Sequence, residues 1–111
     1  MPYTLNTQPN STVEVTAHAA PDVVDEERRG IVRTLRGRVQ VPGFRRGKAP
    51  LSVVEARYAD DIRDELQEQL AGRLWEEVLA AEEDLRPISN PRVRQQGIDD
   101  DGAFRLVAEL E

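Results

Sequence analysis

At 111 residues the chain has room for one domain with a modest core, and 39% hydrophobic against 32% charged residues describes a folded protein with a polar surface, not a disordered chain. The absence of cysteine excludes a disulfide framework and a thiolate metal site, and it makes a reducing cytoplasm the natural compartment. Net charge is −6, Met1 is followed by a polar stretch and no 18-residue apolar span occurs, so neither export nor a membrane partner is expected.

Residues 1–10 read as a loose lead-in. Val13, Val15 and Ala17 then alternate with Thr12, Glu14, Thr16 and His18, the pattern of a half-buried strand. Pro21 and Asp22 open a helix, because proline loses nothing in the first turn and an acid suits the positive end of the helix dipole. Val24, Ile31 and Leu35, with Val32 and Val39 beside them, form its apolar side. Gly30 and Gly37 each cost this helix roughly 1 kcal/mol against alanine, which a close helix contact would offset.

Charge is concentrated in and just after this helix. Residues 28–48 contain Arg28, Arg29, Arg33, Arg36, Arg38, Arg45, Arg46 and Lys48, eight cations and no acid; the other 90 residues hold seven cations and all 21 acids. A strongly dipolar molecule results, whose basic end is steered toward phosphate or acidic protein.

Pro42 disfavours helical geometry at Val41, so the helix stops and "VPGFRRGKAP", residues 41–50, is a loop. Gly43 and Gly47 free its backbone, while Pro42 and Pro50 stiffen its shoulders and reduce the entropy lost when the tip docks. Phe44 offers a ring to an apolar pocket, Arg45 and Arg46 offer forked pairs to carboxylate or phosphate, and Lys48 adds a point charge.

Pro50 restarts helical structure. Val54, Tyr58, Ile62, Leu66, Leu70, Leu74 and Val78 recur every fourth residue, giving one long amphipathic helix or two consecutive ones with Asp60 as the N-cap at their junction. Pro87 and Pro91 bound a turn. "RVRQQGI" and "AFRLVAELE" flank "DDDG" as a hairpin, with Phe104, Leu106, Ala108 and Leu110 on one face. The fold class is α+β: an antiparallel sheet, made of the N-terminal strand plus the C-terminal hairpin, packed with two or three helices, and a loop tip projecting between the first two. The last strand still alternates at Glu111, so residues 1–111 are expected to be one domain at the N-terminus of a longer protein.

Catalytic readings find little support. His18 is the only histidine and belongs to a strand pattern; the acid pairs Asp60–Asp61 and Glu76–Glu77 lie on helix surfaces. No phosphate loop or metal-ligand spacing appears, and no cofactor is expected. The five aromatics are scattered, with Tyr58 and Trp75 expected in helix packing.

The loop "GFRRGKAP" resembles the Gly-Phe-Arg-Lys-Gly-Lys-x-Pro loop of trigger factor, the bacterial ribosome-associated chaperone family. The likeness continues through "VVEARYADDIRDE", and the order of strand, helix, loop, helix and hairpin resembles the family's N-terminal ribosome-binding domain along nearly the whole chain. It implies that Phe44, Arg45 and Arg46 dock on the large ribosomal subunit at the nascent-chain exit tunnel, against a ribosomal protein and ribosomal RNA, with nascent polypeptides as clients. Gly43, Gly47, Lys48 and Pro50 match the family pattern. Arg46 replaces the family's usual lysine, which keeps the charge and changes its geometry. Arg29, Arg33, Arg36 and Arg38 are candidate ribosomal RNA contacts, with affinity that falls as salt rises. The family resemblance also implies a peptidyl-prolyl isomerase domain and a C-terminal chaperone domain outside this chain, which leaves the chain itself without isomerase activity.

Two other readings use the same residues. One is a module that binds RNA or DNA directly through the basic helix and loop, against which one ring is a meagre stacking platform. The other is a client-binding or dimerisation module working through apolar helix sides, with weak self-association.

Overall fold

The computed structural model describes residues 2–7, 12–82 and 92–110. Its elements in chain order are β1 (Tyr3–Thr7), β2 (Val13–Ala19), α1 (Pro21–Arg38), α2 (Leu51–Arg57), α3 (Ala59–Ala81), β3 (Arg92–Ile98) and β4 (Phe104–Leu110). The strands form one antiparallel sheet in the order β1-β2-β4-β3. This is the expected α+β class, with four strands and three helices.

The two central strands are those whose sequences alternate most strictly. β2 pairs with β4 from Val13↔Leu110 to Ala19↔Phe104, so Val15, Ala17 and Ala19 share a face with Phe104, Leu106, Ala108 and Leu110, all buried. α3 crosses that face and α1 packs against α3. His18 and Arg105 stand opposite each other on the other, solvated face.

β1 corrects the expectation of a loose lead-in. Tyr3–Thr7 is an edge strand along β2, from Tyr3↔Ala17 to Thr7↔Val13. Its sequence, YTLNT, offers only Tyr3 and Leu5 to a core, and the pairing comes from the free edge of β2. At the other edge, a register irregularity between Val93 and Gln95 interrupts β3, and Arg94 there bonds Glu109 Oε1 at 2.8 Å. A bulge and exposed cations discourage further strand addition.

α1 begins at Pro21 after an extended Ala20, with Asp22 in its first turn and Arg36 and Arg38 in its last, the arrangement its dipole favours. Val24, Ile31 and Val32 are buried, and Leu35 and Val39 pack against them. Among the described residues, an added Cβ at Gly30 or Gly37 would meet nothing within 4 Å, so no close helix contact there offsets their cost.

The every-fourth pattern divides into two helices at Tyr58, whose φ −115 and ψ 30 interrupt the spiral. Asp60 therefore lies inside the first turn of α3 beside Asp61, not at the N-cap; its charge meets the dipole, and no side chain caps the helix. Ile62, Leu66, Leu70, Leu74 and Val78 of α3 are buried. Most of them join one cluster that runs from Phe104 to Val41 and Ala49; Val78 joins a second with Val15 and Leu110. Tyr58 packs against the first cluster and Trp75 against the second, as expected. Pro87 and Pro91 lie outside the described residues. Extents of 58 × 28 × 20 Å make the molecule elongated. Among the described residues, no helix is long and apolar enough to cross a membrane.

Candidate docking loop

Residues 41–50 leave α1 and enter α2 through two consecutive tight turns. Phe44 N–H donates to Val41 O at 3.0 Å, with Pro42 and Gly43 between them and Gly43 at φ 89. Lys48 N–H donates to Arg45 O at 2.9 Å, around Arg46 and Gly47, the latter at φ 78. Proline at the second position and a positive-φ glycine at the third are the signature of a type II turn, so the first turn is dictated by its residue types. The second turn keeps the glycine alone.

Both shoulders of the loop are sunk in the core. Val41 is 4% exposed and Ala49 3%. Phe44 is 39% exposed and, among the described residues, joins neither buried cluster. The residue sits at the junction of two turns with buried anchors on either side, partly covered by the domain and partly open to solvent.

Two of the loop-region cations are used inside the fold. Arg36 Nε donates to Ala49 O at 2.7 Å, tying the exit of the loop to α1. Arg46 donates to Arg38 O from Nε at 3.4 Å and from Nη2 at 3.2 Å, covering a carbonyl at the C-terminal end of α1 that no helical N–H reaches. A lysine at position 46 has no such fork. Arg45 and Lys48 are exposed, and no side-chain partner holds them among the described residues. Pro50 stands at the N-cap of α2, its carbonyl accepting Val53 N–H at 3.0 Å.

The four α1 arginines do not make one patch. Helical spacing lines up Arg29, Arg33 and Arg36 along one side, while Arg38 falls on the opposite side. Arg33 and Arg38, from different sides of α1, border one groove of about 700 Å³ between α1 and α3, which Asp61 and Glu65 of α3 also line. Arg73 of α3 pairs with Glu27 of α1 in the same groove, and Arg28 is taken up by Asp25 at 3.0 Å.

Leu51, the first residue of α2, is 40% exposed and adds a second large apolar side chain at the loop exit. It precedes the every-fourth row that begins at Val54, so periodicity did not single it out. Among the described residues, no three His, Cys, Asp or Glu side chains are grouped to hold a metal ion. Asp60, Asp61, Glu76 and Glu77 are exposed on α3.

Comparison with known proteins bears on this geometry. A family model described as bacterial trigger factor protein (TF) matches residues 1–111. The trigger factor of Thermus thermophilus is 40% identical over 100 residues, which cover 89% of this chain and 24% of that protein. Those of Alkalilimnicola ehrlichii and Koribacter versatilis are 37% and 36% identical, over 90% and 87% of this chain and 21% and 22% of theirs. A solved structure of the trigger factor chaperone superposes with a TM-score of 0.69 at 19% identity, covering 96% of this chain and 26% of that one. The chain thus spans about a fifth to a quarter of the length of the relatives it matches.

Proposed function

This chain belongs to the bacterial trigger factor family, as its N-terminal domain, and from that premise we propose that it docks a chaperone on the ribosome through the tip of the loop at residues 41–50. The single observation that carries the reading is Phe44: a large apolar ring, 39% exposed and outside both buried clusters, held between two turns in a segment with eight cations and no acid. A preorganised ring gains from an apolar pocket without a large ordering cost. Arg45 and Lys48 beside it suit acidic side chains and phosphate, the groups a ribosome offers at its tunnel exit. Arg46 contributes its charge while bracing α1, with Gly43, Gly47 and Pro50 supporting the loop. Arg29 and Arg33 are the α1 cations best disposed toward ribosomal RNA, with Arg38 approaching from the groove.

On this reading the partners are the large ribosomal subunit, with its tunnel-exit protein and RNA, and nascent polypeptides; the compartment is the cytoplasm. The prolyl isomerase activity and C-terminal chaperone domain of full-length trigger factors are assigned to parts of those proteins outside this chain. A few cations and one ring make for reversible binding, which suits a chaperone that must release as translation proceeds.

Co-sedimentation with empty bacterial 70S ribosomes at low and moderate salt tests the proposal, using the parent, a Phe44→Ala/Arg45→Ala/Arg46→Ala variant and naked RNA as competitor. The parent should pellet with ribosomes, the variant should not, and RNA should compete poorly. Equal binding by both proteins, or full competition by RNA, would replace docking with general nucleic-acid binding through α1.

A further inference from the structure

We propose that Arg36 is a positioning residue of the docking loop, holding its exit shoulder to α1, and not a contact to ribosomal RNA; this rests on the docking reading above. Arg36 is half-buried, and its Nε donates at 2.7 Å to a carbonyl 13 residues ahead. That carbonyl belongs to Ala49, itself 3% exposed. Local backbone offers it little: Pro50 has no N–H, and Val53 N–H, the donor four residues on that an α-helix would aim at it, goes with Val54 N–H to Pro50 O. A carbonyl withdrawn from water needs a partner, and the guanidinium supplies one.

The two ends of the loop are secured by different means. At the entry, Val41 is buried and its carbonyl accepts Phe44 N–H. At the exit, Ala49 has only a methyl group to anchor it, so Arg36 carries much of the hold. Releasing that end frees the turn from Arg45 to Lys48 and, through it, the orientation of Phe44. A side chain whose Nε is engaged in this way is also poorly disposed to turn its fork to an outside phosphate.

Two substitutions separate the roles. Glutamine carries a side-chain nitrogen the same number of bonds from Cα as arginine Nε, so Arg36→Gln keeps that donor and loses the charge; Arg36→Met matches glutamine in length and loses both. Affinity for 70S ribosomes would be measured across salt, together with amide hydrogen exchange at Phe44 and Lys48 in the free protein. Positioning predicts that Arg36→Met weakens binding about tenfold, the scale of one lost hydrogen bond, and speeds exchange at both amides, while Arg36→Gln stays near the parent in both. Equal loss in the two variants with a shallower salt slope, or parent-like binding by Arg36→Met, would overturn the proposal. Should methionine unfold the domain, Arg36→Gln decides alone, since a phosphate contact would be lost there too. If the parent itself does not bind, the docking reading falls, and exchange reports separately whether Arg36 holds the loop.

Discussion

Replacing Phe44 by alanine tests whether the exposed part of the ring is what a partner covers. Phenylalanine buries about 200 Å² when fully enclosed. With 39% of its surface open, docking has about 80 Å² left to remove from water. At roughly 25 cal/mol per Å², that area contributes about 2 kcal/mol, or about a 30-fold loss of affinity in the variant. The covered part of the ring belongs to the folded domain, so the comparison must be made where circular dichroism finds both proteins fully folded. Ribosome affinity would then be measured by titration of labelled protein. A change in Kd under about threefold, together with a clearly lower Tm, would refute the reasoning and make Phe44 a packing residue.

Gly30→Ala and Gly37→Ala should each stabilise the domain by up to about 1 kcal/mol, since a Cβ there meets nothing within 4 Å; thermal melts should show Tm rising, and a fall would mean the helix is constrained in another way. Phe104→Ala removes the largest fully buried side chain and should cost about 3–5 kcal/mol in chemical denaturation. Burial, then the hydrogen bond and charge of Glu82, raise the Tyr3 hydroxyl above its usual 10.0. The folded state therefore keeps that proton longer, so this contribution to stability is intact below pH 10.0 and is lost as pH climbs through the higher folded value; parent protein should lose stability more steeply than Tyr3→Phe in alkaline denaturation, and Glu82→Gln should lower the tyrosine titration. Arg29, Arg33, Arg38, Arg45 and Lys48 are the cations of residues 28–48 whose side chains have no partner among the described residues, so if all five met phosphate, log K against log salt for ribosome binding should slope no more steeply than about −4.5. A steeper slope would mean that cations beyond these five, Arg46 among them, also meet phosphate.

What could be read from the sequence follows the strength of the burial pattern. β2, β4, α1 and the every-fourth row of α3 place an apolar residue wherever the core needs one, and each formed where periodicity put it. β1 was illegible because Thr4, Asn6 and Thr7 are polar and exposed; its hydrogen bonds come from β2, a long-range cause that no local window contains. The helix break at Tyr58 was half legible. The periodicity allowed one long helix or two consecutive ones with Asp60 as the cap between them, whereas the backbone turns two residues earlier. In the loop, Pro42-Gly43 announced the first turn, and Phe44 proved exposed. The carbonyl partners of Arg36 and Arg46 were hidden, because nothing in an arginine's neighbours says whether its fork faces solvent or a backbone oxygen 8 or 13 residues away.

That distinction changes how the basic segment is understood. The C-terminal end of a helix carries partial negative charge and orphan carbonyls, so cations gather there for reasons internal to the fold. Arg36 and Arg38 stand in the last turn of α1, Arg46 reaches back to the carbonyl of Arg38, and Arg28 is matched by Asp25. Half of the eight cations in residues 28–48 thus have a role without any partner. The others do not. Arg29 and Arg33 lie in the middle of α1, where the dipole gives them no benefit, and Arg45 and Lys48 project from a loop whose turns are closed by backbone bonds alone. Their charge raises the self-repulsion of the segment, and among the described residues no hydrogen bond or ion pair holds their side chains, although Arg33 borders the groove that Asp61 and Glu65 also line. On the proposed docking reading, an external surface carrying negative charge would account for them, and Phe44, set between α1 and Lys48, would mark where that surface is touched.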